Sequence, residues 1–307
     1  MQEPLVYLDG EFTPKSKATV SIFDHGLLYG DGVFEGIRSY DGLVFRLRDH
    51  VKRLYESAKA IRLEVPLDEK EMTEAILETL RKNQLWDAYI RVVVTRGEGD
   101  LSVDPATCEA PTVFVIAEPA QTALSSKGPK VIKAVISSLR RDPVDGTSHE
   151  TKSLNYLNSI LAKMEARSDG ADDAIMLDRR GFVSEASATN VFMAKDGTVS
   201  TPPSAAGILH GITRSRLIRL CEDLGIGVRE RDITPFELIT ADEVFLAATK
   251  AEIVSVGTLN GIKIGSGLPG PLTLRLLLEF GRLVRRPEEG TPVYEQHSVS
   301  RPPRKPS

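Results

Sequence analysis

Two side chains that can bind a carboxylate stand two positions apart in a β-branched run. Residues 89–95 read YIRVVVT, which is typical of a strand, and in a strand Tyr89 and Arg91 project from the same face. An arginine and a tyrosine on one face can hold a carboxylate through charge-assisted hydrogen bonds. The alternative is that this face is the solvated outer side of a sheet, and spacing alone does not decide between them.

The segment Gly211-Ile212-Thr213 is a candidate anion site, because it stands directly before an amphipathic helix predicted over Thr213–Leu224. Free backbone N–H groups and the positive end of the helix dipole can bind a phosphate there, and the threonine hydroxyl adds a donor. The alternative is that Thr213 caps its own helix. Two glycine-rich segments, YGDG at 29–32 and RGEG at 96–99, match no nucleotide-binding motif and predict turns.

Three further residues could supply amine, phenol and carboxylate groups. Lys152 lies in an irregular polar stretch before a predicted helix, and a lysine is a nucleophile when its pKa is lowered or when it is held as an imine. A plain surface lysine is the alternative. Tyr156 follows one helical turn later and faces the same way. Glu185 precedes three small residues, where a carboxylate could meet a ring nitrogen or could simply end a strand.

The elements that must position these residues mix helices and strands. Apolar spacing and capping signals predict helices at Asp49–Leu63, after Asp68, at Ser153–Arg167, at Thr213–Leu224, after Thr234 and at Pro271–Val284. Strand patterns appear at Leu5–Leu8, Tyr89–Thr95, Thr112–Ala117, Val131–Ser138, Ala174–Leu177, Phe182–Ser184, Asn190–Ala194 and Glu243–Ala248. Hairpin turns at Asp9-Gly10 and Asn260-Gly261 fall in both halves, so the pattern predicts a mixed α and β (α+β) fold rather than a doubly wound sheet.

The length of 307 residues predicts about two domains. The polar segment 119–130 contains two prolines and a glycine, which indicates a linker between a small N-terminal α/β domain of residues 1–118 and a larger C-terminal domain of residues 131–285. Residues 286–307 are polar and contain five prolines. We expect them to form a tail on the surface rather than a core element.

Composition disfavours several classes of protein. The 39 basic and 43 acidic residues leave a net charge of −4, which argues against nucleic-acid or anionic-membrane binding. No apolar run approaches the ~20 residues of a membrane span, and the first residues, MQEP, do not begin a signal peptide. The two cysteines and five histidines show no metal-binding spacing. We therefore expect no metal and a cytoplasmic location.

Six motifs, taken in order, carry a resemblance to a known family. They are YGDGVFEGIR (29–38), FRLRDHVKRL (45–54), KSLNY (152–156), SEA…TNVF (184–192), GITR (211–214) and EVFLAAT (243–249). The chain resembles the branched-chain amino-acid aminotransferases of the class IV, PLP-dependent family over residues 5–285. The resemblance implies the two-domain fold-type IV architecture of D-amino-acid aminotransferase, pyridoxal 5′-phosphate (PLP) as cofactor, and a homodimer or larger homo-oligomer with sites completed across the interface.

The resemblance also implies the cofactor-binding residues. Lys152 resembles the catalytic lysine that forms the imine with PLP and then moves the proton. Glu185 resembles the carboxylate that keeps the pyridine nitrogen protonated, so that the ring acts as an electron sink. Tyr156 matches the tyrosine at the phenolic oxygen, and Leu209 matches the residue packed on the ring. The phosphate-binding residues are matched by Arg53, Ile212, Thr213 and Thr249.

On the substrate side, the resemblance assigns the α-carboxylate to Tyr89 and to the backbone near Thr249 and Lys250. It assigns the second carboxylate of glutamate to Arg91 with Tyr29. Phe34 would help to line an apolar pocket. Lys250 departs from the family, since a small alanine is usual there, and this leaves the exact substrate open. The spacing of four positions from Lys152 to Tyr156, where many bacterial members have five, resembles archaeal-like members.

The implied reaction is the transamination of L-leucine, L-isoleucine or L-valine with 2-oxoglutarate, which gives branched 2-oxo acids and L-glutamate. A D-amino-acid aminotransferase and an aminodeoxychorismate lyase are alternatives on the same fold, because stereochemistry depends on loop placement. A non-catalytic binding or scaffold protein with this fold is a further alternative. The presence of both Lys152 and Glu185 argues against it.

Overall fold

The computed structural model describes residues 3–121 and 128–294, which divide into two compact units. Of these residues, 3–121, 151–155 and 284–294 form the first unit, and 128–150 and 156–283 form the second. Each unit is built on its own β-sheet. Within the described residues, no helix is long and apolar enough to cross a bilayer.

The first 121 residues contribute six strands and three α-helices to the first unit. The strands are β1 (Leu5–Leu8), β2 (Glu11–Pro14), β3 (Gly32–Tyr40), β4 (Leu43–Phe45), β5 (Ala88–Thr95) and β6 (Thr112–Pro119). The helices are α1 (His25–Leu28), α2 (Leu47–Ala60) and α3 (Glu69–Lys82). The predicted turn between β1 and β2 is confirmed, since Asp9 and Gly10 take φ values of 46° and 94°. The capping box of Asp68 and Glu71 at α3 is confirmed as well.

The second unit has nine strands and four α-helices among its described residues. The strands are β7 (Val131–Arg140), β8 (Asp173–Leu177), β9 (Val183–Ala186), β10 (Asn190–Lys195), β11 (Thr198–Thr201), β12 (Val228–Glu230), β13 (Glu243–Ala248), β14 (Glu252–Leu259) and β15 (Ile262–Lys263). The helices are α4 (Leu157–Ser168), α5 (Ile212–Asp223), α6 (Pro235–Ile239) and α7 (Pro271–Leu283). The sheet order is β12-β11-β10-β13-β14-β7-β8-β9, with β15 paired to β14.

The segment after α7 corrects the expectation of a tail without core elements. Strand β16 (Gly290–Pro292) pairs with β4 and begins the first unit's sheet, whose order is β16-β4-β3-β5-β6-β1-β2. Val293 is buried in the core, and the ring of Tyr294 stacks on Trp86 with centroids 4.5 Å apart. The edge of β4 is free to pair with β16. The pairing is held by Val293 and Tyr294, the two large side chains that follow β16 and pack against the core. The rest of the predicted tail, 295–307, lies outside the described residues.

The domain and helix boundaries expected around Lys152 are also corrected. Helix α4 begins only at Leu157, and residues 151–155 belong to the first unit, so they interrupt the predicted continuous domain 131–285. They pair with the start of β3, where the Phe34 N–H donates to Lys152 O (3.0 Å) and the Leu154 N–H donates to Gly32 O (2.9 Å). This edge is open because β4 pairs only with the far end of β3. Of the predicted linker 119–130, residues 122–127 lie outside the described residues.

One face of the first sheet is covered by α2 and α3. The strand side chains on this face are fully buried against the helices: Val33, Ile37, Ile90, Val92 and Val94. Because side chains alternate along a strand, the opposite face of β3 and β5 presents Phe34, Tyr89 and Arg91. The predicted division of the two faces of residues 89–95 is thereby confirmed.

Candidate active site

An arginine, a tyrosine and a phenylalanine meet on the face of β3 and β5 that is opposite to α2 and α3. Arg91 Nη2 donates to the Tyr89 hydroxyl at 3.0 Å, and the Arg91 guanidinium lies 4.5 Å from the centroid of the Phe34 ring. Gly36 makes room for this arrangement, because a Cβ there would stand 2.4 Å from the Tyr89 hydroxyl. Arg91 Nε is buried with no hydrogen-bond partner among the described residues. A buried guanidinium N–H without a partner is suited to an incoming carboxylate.

Lys152 joins the same face through the backbone pairing of residues 152–154 with β3. Its ammonium group lies 4.3 Å from the centroid of the Phe34 ring, so Phe34 contacts both Lys152 and Arg91. Its backbone N–H donates to Ser57 Oγ on α2 at 3.1 Å. Lys152 is therefore half-buried, with its side chain against an aromatic ring and its backbone bonded to a helix, which differs from a plain surface lysine.

Arg53 lies on the helix-covered side of the sheet, where it forms a buried cluster with Glu35 and His50. Arg53 Nε donates to Glu35 Oε1 at 2.6 Å, and Arg53 Nη2 donates to Glu35 Oε2 at 2.9 Å. His50 Nδ1 lies 2.7 Å from Glu35 Oε2. Ser57, which holds the Lys152 backbone, follows Arg53 by one helical turn. This spacing brings the predicted phosphate-binding arginine close to the predicted catalytic lysine.

Burial and charge act in opposite directions on the pKa of Glu35. Burial disfavours the charged carboxylate, but the Arg53 charge and the hydrogen bonds from Arg53 and His50 outweigh it and hold the pKa of Glu35 well below its usual range. Burial lowers the pKa of His50, and the charges of Arg53 and Lys152 lower it further although Glu35 opposes them. The cluster is therefore an ionised carboxylate held by an arginine and a neutral histidine.

In the second unit, Glu185 is the centre of a separate buried hydrogen-bond network. Arg141 Nη2 donates to Glu185 Oε1 in a close ion pair. Asn190 Nδ2 and the Leu209 N–H donate to Glu185 Oε2 at 3.2 and 3.1 Å, and Asn190 Nδ2 also reaches Leu209 O at 3.1 Å. The structure thus brings together Glu185 and Leu209, two of the predicted cofactor-binding residues.

The start of α5 has the features of an anion site. Gly211 is the N-cap of this 12-residue helix and provides no side-chain cap, so the alternative that Thr213 caps the helix is wrong. The Thr213 hydroxyl is buried and has no hydrogen-bond partner among the described residues. Gly211 is needed beside the Glu185 network, since a Cβ there would stand 2.0 Å from Asn190 Oδ1. Free N–H groups and an orphaned buried hydroxyl fit a phosphate.

The remaining predicted residues are less closely tied to these clusters. Tyr156 is the N-cap of α4, and its ring meets His149 edge-on at 6.0 Å. Thr249 and Lys250 lie in the turn between β13 and β14, with Lys250 exposed. The Tyr29 hydroxyl donates to Leu101 O at 2.6 Å. Within one chain, the described contacts of Tyr29 do not include Arg91.

Sequence reasoning missed the partners of the predicted residues. Glu35 stands between Val33 and Ile37 on the helix-facing side of β3, and a carboxylate among buried apolar neighbours requires a charged partner. That requirement, with His50 and Arg53 three apart on α2, could have revealed the first cluster. Arg141 follows β7 in an irregular polar stretch, and no sequence signal distinguishes it from other arginines.

A cleft of about 740 Å³ in the first unit contains none of the predicted site residues. Its lining includes Tyr7, Asp9, Glu98 and Glu109. Its carboxylates would repel phosphate and carboxylate ligands, so it does not compete with the clusters as a site for this chemistry. In the described ranges, no group of three or more His, Cys, Asp or Glu side chains is placed to hold a metal ion.

The known proteins that this chain resembles are aminotransferases. The family model described as amino-transferase class IV matches residues 32–259. A Methanocaldococcus jannaschii relative, named provisionally as a branched-chain-amino-acid aminotransferase, is 49% identical over 291 residues, or 95% of this chain and 99% of the relative. A D-alanine aminotransferase of Bacillus licheniformis is 36% identical over 268 residues, or 87% of this chain and 93% of that protein.

Solved structures give the same result for the fold. The T.th. branched-chain amino acid aminotransferase, solved with pyridoxamine 5′-phosphate, has a TM-score of 0.91 and 38% identity over 96% of this chain and 100% of its own. Other structures of that protein contain N-(5′-phosphopyridoxyl)-L-glutamate or 4-methylvaleric acid. This similarity confirms the expected fold-type IV architecture. Because the family model and the relatives match most of its length, the chain belongs to the class IV aminotransferases.

Proposed function

We propose that the protein catalyses the PLP-dependent transamination of L-leucine, L-isoleucine and L-valine with 2-oxoglutarate. The contact of Arg91 with Phe34, beside Lys152, carries this proposal. An arginine stacked on a phenylalanine offers apolar surface to a branched side chain and a cation to the second carboxylate of glutamate. The two half-reactions require one pocket to accept both. The T.th. relative, solved with a glutamate adduct and with a branched acid, supports the same interpretation.

The residues present fit PLP. Arg53 and the start of α5, with the orphaned Thr213 hydroxyl, supply donors for its phosphate, and Thr249 completes this set. Glu185 supplies the carboxylate for the pyridine nitrogen and Tyr156 the hydroxyl for the phenolic oxygen. When bound, PLP provides an electron sink for the charge left at the substrate α-carbon. Lys152 would hold the cofactor, and its Nζ, when free, would accept the proton from the substrate α-carbon.

The substrate is oriented by its carboxylates. The Tyr89 hydroxyl and the backbone at Thr249 and Lys250 hold the α-carboxylate, and the Arg91 guanidinium holds the second carboxylate of glutamate. Phe34 excludes water on the apolar side. Tyr29 is assigned to the second carboxylate as well, and the homodimer proposed next would supply it from the partner subunit.

The homodimer is supported by an apolar surface of the first unit. The segments 20–29 and 101–103 expose large apolar side chains, and Ile22, Leu27, Leu101 and Val103 are each at least 66% exposed. Contiguous apolar surface of this kind is typical of an interface, and most soluble oligomers are symmetric homodimers. We expect light scattering to give at least twice the chain mass, and Leu27→Asp to shift the protein towards monomer with loss of activity. A monomeric, fully active wild-type protein would contradict the homodimer.

The function is tested on purified protein. We expect a yellow protein whose colour is bleached by borohydride, as PLP attached to Lys152 requires. Single half-reactions with L-leucine, D-alanine and aminodeoxychorismate then distinguish the three enzymes of this fold. Turnover confined to L-leucine and its branched relatives supports the proposal, and preference for D-alanine or for aminodeoxychorismate overturns it. A colourless protein that does not bind PLP would indicate a scaffold. A cytoplasmic location stays a prediction.

A further inference from the structure

The carboxylate of Glu35 has no part in the reaction as proposed above, yet it is a charged group in the interior of the protein. It lies in the middle of β3, fully buried, between Val33 and Ile37, which are themselves completely buried. Removing a charge from water is costly unless the charge is paired and hydrogen-bonded. A charge retained at such a place requires an explanation in terms of its partners.

The first partner, Arg53, is held by a two-point contact. Its Nε and Nη2 groups both bond Glu35, at 2.6 and 2.9 Å, and only 9% of the residue is exposed. Two parallel hydrogen bonds fix the plane of a guanidinium as well as its position, which a single bond cannot do. The direction in which the rest of the Arg53 guanidinium points is therefore set by Glu35.

The second partner, His50, holds the carboxylate itself. An ionised carboxylate only accepts hydrogen bonds, so His50 Nδ1, 2.7 Å from Glu35 Oε2, is the donor. His50 lies three residues before Arg53 on α2 and is fully buried. With both Arg53 and His50 on its oxygens, the Glu35 carboxylate cannot rotate without breaking a bond.

Packing alone does not require this cluster. Helix α2 already places Leu47, Val51, Leu54 and Ala58 in the core against the sheet. Replacing a buried ion pair by apolar residues is often neutral or stabilising, so a buried pair is weak evidence of a role in stability. A role in orienting a ligand-binding arginine explains why the charges are kept.

We propose that Glu35 and His50 are positioning residues that hold the Arg53 guanidinium in the orientation that binds the phosphate of PLP. The proposal rests on the proposed function, since it takes PLP as the ligand of Arg53. It predicts that variants of Glu35 and His50 bind PLP more weakly. Their affinity for pyridoxal should be unchanged, because pyridoxal lacks the phosphate that Arg53 would contact.

Titration of the apoprotein with PLP and with pyridoxal tests the proposal. For Glu35→Gln we expect the Kd of PLP to rise by about 10- to 100-fold, the range that loss of an orienting partner costs at metal sites. The Kd of pyridoxal should stay unchanged. The kcat at saturating PLP should change far less than the PLP affinity. Asp31→Asn is the matched control, because it breaks a similar two-point contact with Arg96 (2.9 and 3.0 Å) in the same unit. It should lower the Tm of the apoprotein and leave both Kd values unchanged.

A second pair of variants tests the proposal in case the Glu35→Gln protein does not fold. His50→Leu keeps the two-point contact and removes only the third bond, and His50→Asn retains an N–H donor on a shorter side chain. We expect His50→Leu to weaken PLP binding and His50→Asn to restore much of it, with pyridoxal again unaffected.

The outcomes separate the two proposals. Wild-type protein that does not bind PLP overturns the proposed function, and the positioning role with it. Wild-type binding with an unchanged PLP affinity in Glu35→Gln, or an equal loss for PLP and pyridoxal, overturns only the positioning role. An equal PLP defect in Asp31→Asn would also overturn it, since the effect would then follow general destabilisation.

Discussion

Replacing Arg91 by methionine should separate the two substrates of the proposed transaminase. Methionine keeps length and apolar contact with Phe34 but removes the guanidinium, whose buried Nε has no partner among the described residues. We expect the half-reactions of L-glutamate and 2-oxoglutarate to fall strongly. The half-reaction of L-leucine should fall little, because a branched side chain makes no ionic contact with Arg91.

The magnitude follows from the contacts that are lost. A hydrogen-bonded contact between a partly buried arginine and a carboxylate contributes about 2–3 kcal/mol, or about 30- to 160-fold in kcat/KM at 1.36 kcal/mol per tenfold. Two losses are shared by both substrates: the stacking on Phe34, about 0.5–1 kcal/mol, and the 3.0 Å hydrogen bond to Tyr89, about 0.5–1.5 kcal/mol. Because the free enzyme makes both contacts as well, most of their loss cancels in kcat/KM. Leucine should therefore lose no more than about tenfold, and glutamate should lose about 30- to 160-fold more than leucine.

Single-turnover absorbance changes of the bound cofactor, measured with each substrate alone, give the two rate constants directly. Arg91→Lys is the matched control, since it keeps the charge but not the planar two-point geometry, and should lose less for glutamate than the methionine variant. Equal losses for leucine and glutamate would refute the assignment and place Arg91 at the α-carboxylate or in folding. Lys250, the residue that departs from the family pattern, would then be the next candidate for the second carboxylate.

Four further predictions address the catalytic groups and the buried clusters. Lys152→Ala should abolish turnover while PLP still binds through its phosphate, and full transamination by this variant would refute its role. Glu185→Gln should lower kcat far more than PLP retention, as stopped-flow rates and cofactor dialysis would show. Arg141→Met leaves Glu185 buried without its cation, which should cost about 3–5 kcal/mol. PLP should therefore raise the Tm of this variant more than that of wild type. Burial lowers the pKa of His50 in the folded state below its ordinary value of 6.5. The unfolded chain therefore takes up this proton more readily, so the stability that neutral His50 contributes is present above pH 6.5 and is lost as the pH falls. The Tm of His50→Asn should therefore decline less than that of wild type from about pH 7 to about pH 5.

Local signals predicted many of the elements and one face of the site. Capping boxes and hairpin turns depend on a few neighbouring residues, so the local sequence determines them. The alternation of residues 89–95 likewise placed Tyr89 and Arg91 on the face opposite Ile90 and Val92. Their meeting with Phe34 required the pairing of β3 with β5, which is a long-range property.

Strand β3 shows why other parts were not predictable. All nine of its residues are buried, including Glu35 and Arg38, so the alternation of polar and apolar residues that identifies a half-exposed strand is absent. The pairing of residues 151–155 with β3 and the return of β16 to β4 depend on open strand edges. Such edges exist only once the sheet has formed, and the local sequence of residues 151–155 or 290–292 does not reveal them.

The two buried ion pairs have the same arrangement with the two charges exchanged. In the first unit, Arg53 is the group proposed to meet the ligand, an anionic phosphate, and Glu35 stands behind it. In the second, Glu185 is the group proposed to meet the ligand, a cationic ring nitrogen, and Arg141 stands behind it. An isolated buried ion would be costly in the apoprotein, whereas a pair is nearly neutral and keeps its ligand-binding member charged and fixed in place. Each supporting residue thereby lowers the cost of maintaining a charged, oriented site before the cofactor arrives. This explains why the sequence retains charges at positions where an apolar core would be equally stable.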